Sequence, residues 1–320
     1  MRLVLVGNYG VGNLGDEALK EYFLKRFDDV EWKVLSAHPT KGEYHRLPTG
    51  PRSFLTTNWF KTIGAIRSSD GMVFGGGSLF TDAESVFACF LWWWHALIAM
   101  IFRKKIYLAF QGIGPFRTSI GERLTRFVVA HSRVVIVRDE ESMRRVKSWE
   151  KNTKVIQSFD PVFSAINKEI ADERTQNVLI IIPRKNSKEM FSKHVKKVVD
   201  NHTFESAIIV SMEPGSRQEQ LTCARLQKSL ELSSVIVSVH SIEELAKTVS
   251  LGAKIISHRY HGALVAMALG KDVEIVEQKT GDKLDCLKNL IDKGLDSSQI
   301  LQLITTGEQE LELELKLLNE

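Results

Sequence analysis

The chain opens on a short apolar run, residues 3–6 (LVLV), and passes through a glycine-rich polar stretch. It resumes over residues 16–27 with Ala18, Leu19, Tyr22, Phe23 and Phe27 at helical spacing. The first run predicts a strand and the second a helix. The alternation then repeats. Residues 33–35, 71–74, 106–110 and 133–137 read as strands, with helical patterns over the tryptophan-rich segment that follows residue 80 and over 121–130. These strand runs are almost continuously apolar, so both faces of their sheet must be covered, as in a parallel sheet packed by helices.

A polar stretch over residues 167–177 interrupts the pattern. Beyond it, residues 178–182 (VLIII), 207–210, 235–237 and 254–256 start a second strand-and-helix series. The predicted fold is α/β, with two Rossmann-like domains facing across a cleft: residues 1–165 on an acceptor side and 166–320 on a donor side. The tail, 308–320, mixes strand-like Glu/Leu alternation with a helix-forming composition, and a terminal helix is expected.

Composition narrows the function classes. A chain of 320 residues with 43% hydrophobic and 26% charged residues supports a large core, and a net charge of +4 favours anionic ligands without reaching a nucleic-acid-binding balance. The three cysteines, Cys89, Cys223 and Cys286, are widely spaced and form neither a disulfide framework nor a zinc motif. With no signal-like start, a cytoplasmic location is expected. Residues 86–102 carry no Asp, Glu, Lys or Arg but fall short of the roughly 20 residues a spanning helix needs. A buried core helix is the main reading, and a peripheral contact of Trp92, Trp93 and Trp94 with the inner membrane face the other.

The chemistry gathers at strand ends. Residues 7–18 (GNYGVGNLGDEA) contain Gly10, Gly12 and Gly15 in the spacing of a dinucleotide fingerprint. The second strand, however, ends in Leu35-Ser36-Ala37-His38, without the acid that would hold a ribose, and Asp16 and Glu17 would repel a pyrophosphate. A nicotinamide cofactor is therefore a minor reading. Asn8, Gly12, Asn13 and Asp16 are candidates for the cleft, with Asn13 and Asp16 as simple helix caps the alternative. Gly75, Gly76, Gly77 and Ser78 offer backbone amides for an anion nest or a tight turn. Gln111 opens a second glycine loop, QGIGP. Arg138, at the end of another strand, suits a carboxylate or phosphate fork, or else a surface pair with Asp139. The richest set is Ser257-His258-Arg259-Tyr260-His261-Gly262, where an arginine lies between two histidines ahead of a helix.

In order, GNYGVGNLGDEA, GGGSLF (75–80), QGIGP (111–115), SRVVIVRDEES (132–142), DP (160–161) and SHRYHGALVAMALG (257–270) resemble the polysaccharide pyruvyl transferase family. The resemblance implies a fold like that of the GT-B glycosyltransferases. It also implies a phosphoenolpyruvate donor, a sugar or lipid-linked glycan acceptor, and a pyruvate ketal product. It assigns His261 as catalytic and Arg259 and Arg138 to the donor, and His258 and Arg184 are grouped with them as candidates. Neither metal nor organic cofactor is expected. A nucleotide-sugar glycosyltransferase and a non-catalytic binding protein of the same fold are the alternatives.

Overall fold

The computed structural model describes residues 1–83, 85–149, 153–167, 169, 177–277 and 283–318. The chain divides into two compact units, Met1–Pro161 together with Ser298–Glu320, and Val162–Ser297.

The first unit contains β1 (Arg2–Val6), α1 (Leu14–Arg26), β2 (Glu31–Ser36), β3 (Tyr44–His45), α2 (Pro51–Thr56), α3 (Trp59–Arg67), β4 (Gly71–Phe80), α4 (Val86–Ile101), β5 (Lys105–Ile113), α5 (Ser119–Ala130), β6 (Val134–Val137), α6 (Glu140–Trp149) and β7 (Val155–Gln157). Its seven strands pair in parallel in the order β3-β2-β1-β4-β5-β6-β7. One face, with Val4, Phe74 and Leu108, is covered by Ile66 of α3, Trp92 and Ala96 of α4, Val128 of α5 and Val146 of α6. The opposite face, with Leu5, Val73 and Ile136, packs on Phe23 of α1 and on Leu311 and Leu315 near the C-terminus.

The second unit contains α7 (Val162–Ala165), β8 (Val178–Ile182), α8 (Glu189–Asn201), β9 (Ser206–Ser211), α9 (Arg217–Ser229), β10 (Ser234–Ser238), α10 (Ile242–Ser250), β11 (Lys254–Ser257), α11 (Tyr260–Ala268), β12 (Asp272–Ile275) and α12 (Lys283–Asp292). Its five strands are parallel in the order β10-β9-β8-β11-β12. The α/β class and the pair of Rossmann-like units thus agree with the expectation.

Several local expectations are corrected. The last helix, α13 (Ser297–Lys316), belongs to the first unit, so the second unit does not run to residue 320. Its amphipathic pattern gives no address. That comes from its partners: Tyr22 donates to Glu308, Arg26 pairs with Glu308 and Glu312, and Lys154 with Glu310 and Glu314. The polar stretch expected to mark the boundary lies largely outside the described residues, and the division falls at Pro161 and Val162.

Gly75, Gly76 and Gly77 are not a loop after a strand. β4 continues through them to Phe80, with Gly75 opposite Ala109 and Gly77 opposite Gln111. Gly76 and Gly77 hold φ of 81° and 85°, a left-handed backbone that bends the strand and shifts its register. Gln111 likewise lies within β5. The tryptophan helix is a covering helix: Trp92 is buried, while Trp93 and Trp94 pack partly against the core. Among the described residues, no helix is long and apolar enough to cross a membrane.

Candidate active site

In an open parallel sheet, ligands collect beyond the carboxyl ends of the strands where the strand order reverses direction. In the first sheet the reversal lies between β1 and β4, and in the second between β8 and β11. Asn8, Asp16 and Ser78 fall at the first of these points and the Arg259–His261 set at the second, while Gln111 and Arg138 lie on the neighbouring strands β5 and β6.

In the first unit, the loop after β1 turns back onto α1. Asn8 Nδ2 donates to Asp16 Oδ2 at 2.9 Å, and Asn13 caps α1 by accepting from the Gly15 amide at 3.2 Å. Gly12 lies on the exposed outer part of this loop. The amide of Gly10, which a dinucleotide fingerprint would turn to a pyrophosphate, donates instead to Glu17 at 2.6 Å. Buried Tyr9 donates to the Gly75 carbonyl at 2.9 Å, and burial followed by the nearby Asp16 and Glu17 charges raises its pKa. Arg46, pulled by burial to about 10, stays charged. It donates to the Gly7 and Tyr9 carbonyls and lies over the Trp92 ring.

Two strands further along, Arg138 is 2% exposed. It donates to Asp160 at 2.8 Å and to Ser78 Oγ at 2.7 Å. Its amide donates to the Gln111 carbonyl at 3.1 Å, while the Gln111 side chain donates to the Phe74 carbonyl at 2.9 Å. The surface pairing considered for Arg138 with Asp139 gives way to a buried ion pair with Asp160. Asp139 Oδ1 instead accepts from the Ser142 amide near the start of α6. Ser78, Gln111 and Arg138 therefore form one cluster, and Asn8 and Asp16 form another beside Gly77, where a Cβ would lie 3.2 Å from Asp16. Gly76 faces Leu19 of α1, a packing contact.

In the second unit, β11 ends at Ser257 and Arg259 is the N-cap of α11, so His261 lies inside the first turn of the helix. The helix approaches the sheet closely because Gly262 has no side chain. A Cβ there would come 2.7 Å from Ser257 Oγ and 2.9 Å from Ile182. His258 and His261 are both buried. His258 stacks on Phe191 at 4.9 Å and shares a 2.5 Å hydrogen bond through Nδ1 with Ser187 Oγ, which also accepts from the Arg184 amide. The His261 ring meets Tyr260 edge to face at 5.2 Å.

Arg259 is engaged by the chain itself. Its guanidinium donates to Glu213 at 2.8 Å and to Glu219. Glu219 is fully buried, and its other oxygen accepts from Ser211 Oγ and from the amides of Met212 and Glu213. Burial lowers the Arg259 pKa; Glu213 opposes that and the neighbouring Arg184 charge adds to it. Burial would raise the Glu213 carboxyl, but Arg259 and then Lys185 outweigh it and hold it low. Lys185 Nζ stands 3.6 Å from Glu213. The strand-end loops of β8, β9 and β11 are thus tied through one arginine.

Sequence reasoning had not singled out Glu213, Glu219, Lys185, Ser187 or the pairing of Asp160. Glu219 carried one signal, the Ser216-x-x-Glu219 spacing of a capping box. Ser216 does cap α9, but the Glu219 side chain reaches back to the end of β9 rather than to the cap amide. Among the described residues, no group of three or more His, Cys, Asp or Glu side chains is placed to hold a metal ion.

Several solved structures share the backbone. Anabaena Alr3699/HepE in complex with UDP-glucose matches 97% of this chain and 94% of its own at 13% identity, with a TM-score of 0.57. A putative UDP-N-acetylglucosamine 2-epimerase from Listeria monocytogenes matches 97% and 87% at 10% identity (TM-score 0.59), and the corresponding epimerase of Rickettsia bellii 100% and 97% at 12% identity (TM-score 0.58). At these identities the likeness is one of fold, the GT-B type. By sequence the chain is similar to the amylovoran biosynthesis protein AmsJ of Erwinia amylovora, 23% identical over 208 residues. That match takes in 51% of this chain and spans about half, 49%, of the relative's length. The family model of polysaccharide pyruvyl transferases matches residues 13–273, from the cap of α1 through α11 and into β12. That stretch holds Asp16, Ser78, Gln111 and Arg138 of the first unit and Arg259 and His261 of the second, and the chain belongs to the polysaccharide pyruvyl transferase family.

Proposed function

We propose that the protein transfers a pyruvyl group from phosphoenolpyruvate to a sugar of a cell-surface polysaccharide or its precursor, forming a ketal. The supporting observation is the concentration of Arg184, Lys185, Arg259 and two buried histidines at the reversal point of the second sheet. A donor with one carboxylate and one phosphate calls for such a set.

In this reading His261 donates a proton to the C3 methylene of the donor, which makes C2 electrophilic. A sugar hydroxyl adds to C2, the C2–O bond to phosphate breaks, and a second hydroxyl closes the ketal. Of the two hydroxyl protons released, one restores the histidine and the other leaves with the phosphate, so the reaction balances without a redox step. Arg184, Lys185 and Arg259 together bear the donor's charge, and Arg259 is itself fixed by Glu213 and Glu219. Arg259 fixes the loops that carry them. We assign Asn8, Asp16 and Ser78 of the first unit to the acceptor side, and the location to the cytoplasmic side of the cell.

The test uses phosphoenolpyruvate labelled in its pyruvyl carbons and a glycan fraction from the source cells. Acid-labile label should enter the glycan with one phosphate released per label. His261→Ala should lower the rate by about a hundredfold or more, with thermal unfolding unchanged. Full turnover in His261→Ala would remove the proton-donor role. Label transfer without phosphate release would remove the donor assignment.

A further inference from the structure

The two most exposed large apolar side chains of the first unit, Leu55 and Phe60, lie on α2 and α3, while others, among them Leu24, Ile101 and Leu313, are scattered. In a parallel sheet each helix that follows a strand begins at the carboxyl edge. α2 begins shortly after β3, α4 after β4 and α5 after β5, while α3 follows α2 directly and runs back toward the start of β4. Exposed side chains here include Phe54 and Leu55 near the end of α2, and Phe60, Phe87 and Ile120 near the starts of α3, α4 and α5; Leu55 is 84% and Phe60 70% accessible. All these helices lead from the carboxyl edge that also bears Ser78, Gln111 and Arg138.

Phe54, Trp59 and Phe60 form a preformed aromatic knob. Trp59 stacks on Phe60 at 3.8 Å and meets Phe54 tilted at 4.8 Å, and its indole donates to the Phe54 carbonyl at 3.0 Å. Exposed cations are interleaved: Arg52 and Lys61 on α2 and α3, Arg117 ahead of α5 and Arg123 within it. In the sequence, residues 44–69 and 85–121 contain no Asp or Glu. Between those stretches stand Asp70, Asp82 and Glu84: Asp82 is buried and accepts from the Arg117 and Thr118 amides, Asp70 accepts from the Arg2 amide, and Glu84 lies outside the described residues. Glu122, just beyond, accepts from the Trp149 indole.

We propose that this edge of the first unit docks on an anionic lipid surface, with Phe54, Leu55 and Phe60 entering the headgroup boundary and Arg52 and Lys61 meeting lipid phosphates. Apolar residues on short helices, alternating with cations and free of acids, have the composition of an interfacial segment. Two-fold self-association through α2 and α3 would set Arg52 and Lys61 against their own copies with no acid on either helix to pair them. The tryptophans of α4 are not the contact, since Trp92 is buried and the other two pack partly on the core. The proposal does not depend on which group the enzyme transfers. Its consequence for the first unit is that the strand-end residues are held near lipid, where a membrane-borne acceptor would be met.

Vesicle flotation of the full chain tests it, with phosphatidylcholine vesicles and with phosphatidylcholine–phosphatidylglycerol vesicles. The wild type should float with the anionic vesicles, less with the neutral ones, and less at high salt. The triple variant Phe54→Ser, Leu55→Ser, Phe60→Ser should bind at least about tenfold more weakly, with unchanged circular dichroism and thermal unfolding. Arg52→Gln with Lys61→Gln should weaken binding to anionic vesicles alone. Absence of flotation with either vesicle, or equal flotation of wild type and triple variant, would overturn the proposal. So would light scattering that shows a wild-type dimer and a monomeric triple variant with no lipid binding, which would assign the surface to self-association.

Discussion

At the residue scale, Arg259 with its two carboxylates, Glu213 and the buried Glu219, organises the second unit. Arg259 joins three strand-end loops only while Glu213 and Glu219 are ionised. Removing one member of a buried pair leaves the other uncompensated, so Glu219→Ala should cost about 3–5 kcal/mol in urea unfolding at neutral pH. A much smaller loss would mean that solvent already reaches the pair. The Glu213 carboxyl is held below its usual range, so its contribution is full above an unfolded value of about 4.3 and is lost as pH falls through the lower folded value. His95 acts over a different window. Its Nε2 accepts from the Leu47 amide at 2.9 Å, and burial lowers its pKa to about 4. The unfolded chain binds that proton from about pH 6.5 downward. Stability from neutral His95 is therefore complete above about 6.5 and falls as pH drops toward 4. Urea unfolding at pH 7 and pH 5 should show that loss in the wild type and a smaller one in His95→Gln. Equal losses would mean that His95 does not carry it.

The elements differ in how far the chain announces them. β1, β8 and β11 follow directly from their apolar runs, and α1 and α5 from their periodicity. β3, β7 and β12 were not anticipated: they are edge strands of only two to four residues, too short for a periodicity to show. β4 and β5 run further than expected because glycine pairs in a strand here while carrying no strand signal of its own. α13 is the clearest case of a readable element with an unreadable place. Its helix was expected, but its seat against Phe110 and Ile136 depends on contacts more than 140 residues apart in sequence, such as Ser158 Oγ to the Leu303 carbonyl. Leu311 is fully buried there, and Leu311→Ala should cost about 2–5 kcal/mol, read as a lower urea midpoint with an unchanged slope. A loss below about 1 kcal/mol would mean that α13 is not part of the first unit's core.

For the molecule as a whole, the strand-end motifs were readable because a parallel fold restricts its chemistry to one edge of each sheet. The sequence pointed to Arg259, His261 and Arg138. It could not show that Arg259 is clasped by two carboxylates or that Arg138 is buried against Asp160, because these partners come from other strand ends. The GT-B fold is shared with proteins solved in complex with UDP-glucose, so fold alone does not choose the donor. The choice rests on the family and on the charge of the second unit's edge. Calorimetric titration of the full chain decides it most directly, with phosphoenolpyruvate and UDP-glucose run separately, each with and without the acceptor glycan fraction. The account expects phosphoenolpyruvate to bind, UDP-glucose to give no heat, and the phosphoenolpyruvate signal to weaken in Arg184→Ala. Binding of UDP-glucose with no response to phosphoenolpyruvate under either condition would contradict it.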